Sequence, residues 1–213
     1  MKSTVIFDMD GVLIDSEPKY FSALQEYFKS EGVVPNKVDF NHYIGKSDEA
    51  SWKMLISDEA QRDKLRAGYY KYRRRHPISY KDILKPGVQA LLKSLKANGF
   101  KVALASATAD DLVQRMLNEC QIKDYFSLVI SGESVRRNKP APDVYLETMR
   151  RLGVDADDCL VIEDSMNGIA AAKAAGIETW AIKHTDYTVD QSKADRVVSS
   201  MDEIRELLTQ SNK

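Results

Sequence analysis

The spacing of apolar residues divides the chain into three stretches of different character. A short apolar run at residues 3–8 predicts a buried strand. Residues 16–79 repeat apolar side chains at helical spacing and predict an all-helical segment. From residue 80 onward, short apolar runs alternate with helical patterns. The chain is therefore predicted to combine one helical segment with an alternating strand and helix region.

Three helices are predicted within residues 16–79. The first begins at Ser16 or Glu17 with Pro18 and stops near Gly32. The others cover residues 49–56 and 59–75. The last of these carries three tyrosines that we expect to be exposed, either for packing or for an interface: Tyr69, Tyr70 and Tyr72.

The rest of the chain predicts a parallel sheet with helices on both faces, because strands and helices alternate. The predicted strands cover residues 101–106, 128–130, 159–162, 179–182 and 196–198, and the predicted helices fall near residues 88–95, 112–117, 144–152, 169–175 and 201–208. The fold class is then α/β, a doubly wound, Rossmann-like sheet. Since the first strand joins this sheet, residues 1–15 and 80–213 are predicted to form one domain, with residues 16–79 inserted as a second.

Composition narrows the class of protein. Hydrophobic residues make up 43% and charged residues 30% of the 213 positions, which is typical of a globular protein in solution. The net charge of −1 favours neither nucleic acid nor a membrane surface as a partner. Neither a signal peptide nor a membrane-spanning run of about 18 apolar residues is evident. We expect a cytoplasmic monomer.

Candidate catalytic residues follow the predicted strands. Ligands of open parallel sheets bind beyond the carboxyl ends of the strands. Asp8 and Asp10 follow the first strand, and Ser106 ends the second. Lys139 lies in the loop after the third strand, and Glu163-Asp164 ends the fourth. The topology therefore predicts that these groups meet at one edge of the sheet.

This set of side chains favours phosphoryl transfer. The four acids would repel one another without a cation, and Mg²⁺ prefers oxygen ligands. Ser106 or Thr108 can donate a hydrogen bond to a phosphoryl oxygen, and Lys139 can neutralise phosphate charge. A carboxylate can also act as the nucleophile. Each residue has a structural alternative, since Ser106 can cap a helix and the acids can complement a helix dipole.

The same residues resemble the four motifs of the haloacid dehalogenase superfamily. The segment Asp8-Met-Asp10-Gly-Val resembles the first motif, Ser106 the second, Lys139 the third and Glu163-Asp164 the fourth. Two longer stretches resemble the β-phosphoglucomutase-like branch, which has a small helical cap inserted after the first motif. They are Lys139-Pro-Ala-Pro-Asp-Val-Tyr145 and Val161-Ile-Glu-Asp-Ser-Met-Asn-Gly168.

The resemblance implies a role for each acid. Asp8 would be the nucleophile and a Mg²⁺ ligand. Asp10 would be general acid and then general base, and its backbone carbonyl would bind the metal. Asp164 would ligate the metal directly, and Glu163 directly or through water.

The resemblance also implies how phosphate is held. Ser106 and Lys139 would bind it, with the backbone N–H of Ala107 as a further contact. Residues 16–79 would be the cap that sets substrate specificity.

Cap residues favour a hydrolase over a mutase. The sugar phosphomutases that the chain resembles carry a histidine at the position of Tyr20 and an arginine near Asp48, and both basic groups are absent here. Lys46 and Tyr20 are the candidate substrate contacts of the cap. We therefore expect a Mg²⁺-dependent, aspartyl-phosphate-forming hydrolase of a small phosphorylated metabolite such as a sugar or polyol phosphate. A β-phosphoglucomutase-like mutase is the alternative.

A receiver domain of a signalling protein is a further alternative from another class. Receivers also use a doubly wound sheet, acids, a hydroxyl residue and a lysine, and they accept phosphate on aspartate. They place the acid pair on the first strand and the phosphorylated aspartate on a later one. Here Asp8 and Asp10 both follow the first strand, and the long helical insertion has no counterpart in receivers.

Overall fold

Six strands form a single parallel sheet. The computed structural model describes residues 2–36, 40–43 and 48–210. The strands are β1 (Thr4–Phe7), β2 (Lys101–Ser106), β3 (Leu128–Ser131), β4 (Cys159–Glu163), β5 (Glu178–Ile182) and β6 (Arg196–Val198). Their order across the sheet is β3-β2-β1-β4-β5-β6, and every neighbouring pair is parallel. The predicted α/β fold is confirmed.

Among the described residues, the helices lie close to the predicted positions, except for a short helix at Phe40–Tyr43 that the sequence pattern did not predict. They are α1 (Glu17–Ser30), α2 (Phe40–Tyr43), α3 (Asp48–Leu55), α4 (Glu59–Arg75), α5 (Val88–Ala97), α6 (Asp110–Glu119), α7 (Asp143–Leu152), α8 (Met166–Ala174) and α9 (Met201–Gln210). Helix α8 begins three residues before the predicted start at Ile169. The reason is a cap, because the side chain of Ser165 accepts a hydrogen bond from the backbone N–H of Gly168 at 3.1 Å.

The sheet is buried by its flanking helices. All four residues of β1 are buried, as a central strand of a covered parallel sheet requires. Ile6 belongs to one hydrophobic cluster with residues of α7 and α8, such as Val144 and Ala171. Helix α5 packs against β2 and α9. Burial on this scale fixes the strand register, since a shift of one residue would turn apolar side chains to the wrong face.

The chain separates into two compact units. One comprises Met1–Asp15 and Tyr80–Lys213 and contains the sheet, whereas the other comprises Ser16–Ser79. The second unit has its own aromatic core, in which Tyr27, Phe28 and Trp52 pack with Leu65 and Tyr69. Each unit therefore buries its own apolar surface.

The expectation that all three tyrosines of α4 are exposed is wrong for Tyr69. Only 6% of Tyr69 is exposed, compared with 42% of Tyr70. Tyr72 is half-buried and packs against the same aromatic core. Helical periodicity explains the difference, because Leu65, Tyr69 and Tyr72 lie on one face of α4 and Tyr70 does not.

Candidate active site

The strand register places Asp8 next to Glu163. Phe7 pairs with Leu104 on one side and with Ile162 on the other. The residues that follow Phe7 and Ile162 are therefore neighbours at the carboxyl edge, and the backbone N–H of Asp8 donates to Ile162 O at 3.0 Å. Both carboxyl groups are buried at this edge.

Lys139 joins these two acids. Its Nζ lies 2.6 Å from Asp8 Oδ1 and 2.7 Å from Glu163 Oε1, and it donates to the carbonyl oxygen of Ala105 at 3.0 Å. Only 6% of the Lys139 side chain is exposed. Burial opposes its charge, but Asp8 and Glu163 hold the pKa of Lys139 well above its ordinary value. A permanent cation therefore sits between two carboxylates.

Glu163 is held by donors on both oxygens. Tyr145 donates its hydroxyl to Oε1 at 2.6 Å, and the backbone N–H of Asp164 donates to Oε2 at 3.0 Å. Burial raises the pKa of Glu163, but Lys139 and these hydrogen bonds outweigh it and lower the pKa overall. Burial and the neighbouring Glu163 raise the pKa of Tyr145 well above its usual value, so its hydroxyl stays protonated and donates. Glu163 is therefore an ionised anchor for Lys139.

Asp8 and Asp164 are the acids whose ionised form this buried site disfavours. Oxygen atoms of Asp8, Glu163 and Asp164 all lie within 4.8 Å of one another. Burial, the largest cause, and repulsion from neighbouring carboxylates raise the pKa values of Asp8 and Asp164 well above the usual range. A donor set made only of carboxylate oxygens of buried residues suits a hard divalent cation, which would relieve this repulsion. The residues present therefore fit a metal site.

Asp10 lies outside that group of three. Its Oδ2 accepts a hydrogen bond from Thr108 Oγ1 at 2.6 Å, so the Thr108 hydroxyl is committed to Asp10. The backbone N–H of Thr108 in turn donates to Ser106 Oγ at 3.1 Å. The buried Ser106 is not the cap of α6, because the residue at that position is Ala109. Ala107 follows β2 beside Ser106, and its carbonyl oxygen accepts from Asn138 Nδ2 at 3.2 Å.

Two glycines leave room for the carboxylates. Gly11 has a φ of +73°, and a Cβ at this position would collide with the Asp164 carboxyl group. A Cβ at Gly168 would collide with the carboxyl group of Glu163. A side chain at either position would displace an acid of the site.

The candidate cap contacts lie in the helical unit. Tyr20 is half-buried, the guanidinium of Arg73 lies 4.0 Å from its ring centroid, and the Tyr69 hydroxyl donates to its carbonyl oxygen at 3.0 Å. Asp48 pairs with Arg66 and accepts from Tyr70. Lys46 falls outside the described residues.

The sequence interpretation missed three contributors to the site. Tyr145 had a usable signal, because it belongs to the stretch that begins at Lys139. Neither His184 nor Gln191, which follow β5, stands in any motif. His184 Nε2 lies 2.9 Å from Asp164 Oδ2, and Gln191 Nε2 donates to the Asp164 carbonyl oxygen at 2.8 Å. Burial lowers the pKa of His184 to about 4.

Within the described residues, every helix is too short or too polar to cross a lipid bilayer. Two named phosphatases are similar to this chain over most of its length. A phosphorylated carbohydrates phosphatase of Thermotoga maritima is 33% identical over 176 residues, which cover 82% of each chain. A phosphoglycolate phosphatase of Aquifex aeolicus is 31% identical over 182 residues, again 82% of each chain.

A solved structure from Thermotoga maritima, provisionally named a beta-phosphoglucomutase, superimposes with a TM-score of 0.77 at 30% identity and covers 99% of both chains. The family profile described as haloacid dehalogenase-like hydrolase matches residues 5–182, which include every candidate residue of the sheet edge up to Asp164. The chain therefore belongs to the haloacid dehalogenase-like hydrolases.

Proposed function

We propose that this protein is a Mg²⁺-dependent phosphomonoester hydrolase that acts on a small phosphorylated metabolite. The observation that supports this most strongly is the buried cluster at the sheet edge. There Lys139 bridges Asp8 and Glu163, and Asp164 adds a further carboxylate within the same 4.8 Å group. A permanent cation beside a carboxylate nucleophile suits a reaction that transfers an anionic group.

The proposed reaction takes two steps at Asp8. An Asp8 oxygen attacks phosphorus while Asp10 gives its proton to the departing alkoxide oxygen, and the phosphoryl group is then held on Asp8. Water next attacks phosphorus, Asp10 takes the proton from that water, and the Asp8 carboxylate leaves. The hydrogen bond from Thr108 orients Asp10 for both transfers. Lys139 and Ser106, with the backbone N–H of Ala107, would hold the phosphoryl oxygens.

The metal would be held by Asp8 and Asp164 through their side chains and by Asp10 through its backbone carbonyl. When bound, Mg²⁺ supplies positive charge to the phosphoryl oxygens and neutralises the acids. Both oxygens of Glu163 already accept hydrogen bonds. The resemblance left open whether Glu163 binds the metal directly or through water. We therefore propose that Glu163 accepts from Lys139 and contacts the metal through water. Mn²⁺ would suit the same ligands.

The substrate class rests on the relatives. One similar protein is named for phosphorylated carbohydrates and another for phosphoglycolate. A sugar or polyol phosphate is the proposed substrate here, with residues 16–79 as the cap and with Tyr20 and Lys46 as its candidate contacts. Monomeric state and cytoplasmic location stay predictions.

The test is phosphate release from a panel of phosphorylated sugars, polyols, phosphoglycolate and nucleotides, with Mg²⁺ and with EDTA. Many phosphates released per chain, only with Mg²⁺, support the hydrolase. Conversion of β-glucose 1-phosphate to glucose 6-phosphate without phosphate release would make the protein a mutase. One phosphate retained per chain, with no turnover, would support the receiver alternative and contradict both enzymes.

A further inference from the structure

We propose that His184 is a positioning residue that orients the Asp164 carboxylate for cation binding. The inference deepens the proposed function, because it rests on Asp164 as a metal ligand. It assigns a role to a side chain that no motif of the sequence marked.

Asp164 is fixed at three points. His184 Nε2 lies 2.9 Å from Oδ2, and Gln191 Nε2 donates to the backbone carbonyl oxygen at 2.8 Å. Gly11 lies so close that a Cβ there would meet the carboxyl group. The carboxylate therefore has one oxygen taken by the imidazole and little room to rotate.

His184 is itself held in place. Its side chain is 3% exposed, and its ring stacks on Tyr187 with centroids 4.1 Å apart and planes 21° apart. The amide of Gln191 also donates to Ile182 O at 2.8 Å, which joins the end of β5 to the Asp164 backbone. Stacking and burial hold the plane of the imidazole ring beside Asp164.

The direction of the hydrogen bond follows from the state that binds a cation. An Asp164 that ligates a metal is ionised and accepts, so His184 Nε2 carries the hydrogen. This bond would fix Oδ2 and leave the other oxygen directed to the metal. Partners of this kind typically change metal affinity by about 10–100-fold when they are removed.

The experiment measures Mn²⁺ binding to the metal-free 213-residue chain by the electron paramagnetic resonance signal of free Mn²⁺, without substrate. His184→Phe keeps a ring to stack on Tyr187 and removes the donor. His184→Gln returns an amide donor at a similar reach, whereas His184→Asn is too short to do so. His76→Phe is the matched control, because His76 also stacks on a tyrosine, with its ring centroid 4.0 Å from that of Tyr72 and the two planes 21° apart. His76 belongs to the helical unit and is distant in sequence from Asp164.

The expected result is an Mn²⁺ Kd raised about 10–100-fold in His184→Phe and in His184→Asn. In His184→Gln it should return to within about threefold of wild type, and His76→Phe should leave it unchanged. In turnover assays, the Mg²⁺ concentration for half-maximal rate should rise in His184→Phe, with kcat largely recovered at saturating Mg²⁺. If His184→Phe does not fold, the comparison of Gln with Asn carries the test.

Two results would overturn the role of His184. One is an unchanged Kd in folded His184→Phe. The other is a Kd in His184→Gln that is raised as much as in His184→Asn, because the ring and not the donor would then matter. A wild-type protein that binds neither Mn²⁺ nor Mg²⁺ would instead contradict the proposed metal-dependent function itself.

Discussion

Burial, one cation and two neighbouring acids act together on the pKa of Asp8. Burial, the largest of them, raises its pKa, Lys139 opposes that effect, and the charges of Glu163 and Asp164 add to it. Such a carboxylate costs stability in the metal-free fold, as expected of a functional residue rather than a structural one.

We predict that Asp8→Asn lowers kcat by at least about 10⁴-fold, because it removes the proposed nucleophile. The melting temperature in EDTA should stay equal or rise, since a buried, repelled charge is lost while Lys139 keeps Glu163 as its partner. Circular dichroism melting and phosphate release check the two parts. Asp157→Asn, which changes an exposed acid at the opposite end of β4, should alter neither. Retained turnover in Asp8→Asn would remove Asp8 from the nucleophile role.

A second prediction concerns the hydroxyl of Tyr145. Tyr145→Phe removes a fully buried hydrogen bond to an ionised carboxylate, so the free energy of unfolding should fall by about 1.5–3 kcal/mol. Urea denaturation measures this loss. Tyr70→Phe is the matched control, because its hydroxyl also donates to a carboxylate, at 2.9 Å from Asp48, but on the surface. The control should lose less than about 1 kcal/mol, and equal losses in both variants would contradict the argument.

At the scale of elements, the first turn of helix α8 is capped by the preceding serine and packs against an acid of the site. Ser165 closes its first turn, and Gly168 in that turn lies against the Glu163 carboxyl group. A glycine inside a helix is normally a weakness, whereas here it makes room for an acid of the site.

We therefore predict that Gly168→Ala is destabilising, although alanine is usually preferred to glycine in helices by about 1 kcal/mol. The added Cβ would displace Glu163, and overpacking of this kind costs about 1–3 kcal/mol. Turnover should fall as well, since Glu163 anchors Lys139. Thermal unfolding and phosphate release report the two effects. Met166→Ala, at an exposed position of the same helical turn, should change neither by much. A more stable, fully active Gly168→Ala would show that Glu163 has room to move.

At the scale of the whole molecule, a cation at the sheet edge would join residues that are distant in sequence. Asp8 comes from β1 and Asp164 from β4, and both are buried. A ligand that binds only the folded state stabilises it by mass action, by about 2.7 kcal/mol at 100 times Kd.

We predict that saturating Mg²⁺ raises the melting temperature of the unit that contains the sheet by about 5–10 °C relative to EDTA. Asp164→Asn should abolish most of this shift, because it removes a proposed ligand charge. Asp195→Asn is a suitable comparison, since Asp195 lies beyond β5, pairs with Lys173 and should leave the Mg²⁺ response intact. A Mg²⁺ shift that persists in Asp164→Asn would place the cation elsewhere.

Local pattern alone determined the elements of this protein and the motif residues of its sheet edge. Apolar spacing is a local property, so β2 and β6 have the predicted bounds and, apart from the unpredicted α2, the helices begin and end near their predicted residues. Strands that alternate with helices also imply a parallel sheet, which directs Asp8, Ser106 and Glu163 to one edge.

Tertiary structure decided how those side chains are used. The strand order and register bring Asp8 and Glu163 together, and Lys139 lies between them. The hydroxyl of Thr108 donates to Asp10, although a threonine hydroxyl would suit a phosphate equally well. Tyr145 and His184 joined the site only through packing. A single histidine after β5 has no local signature, because its hydrogen bond to Asp164 depends on atoms brought together by the folded sheet.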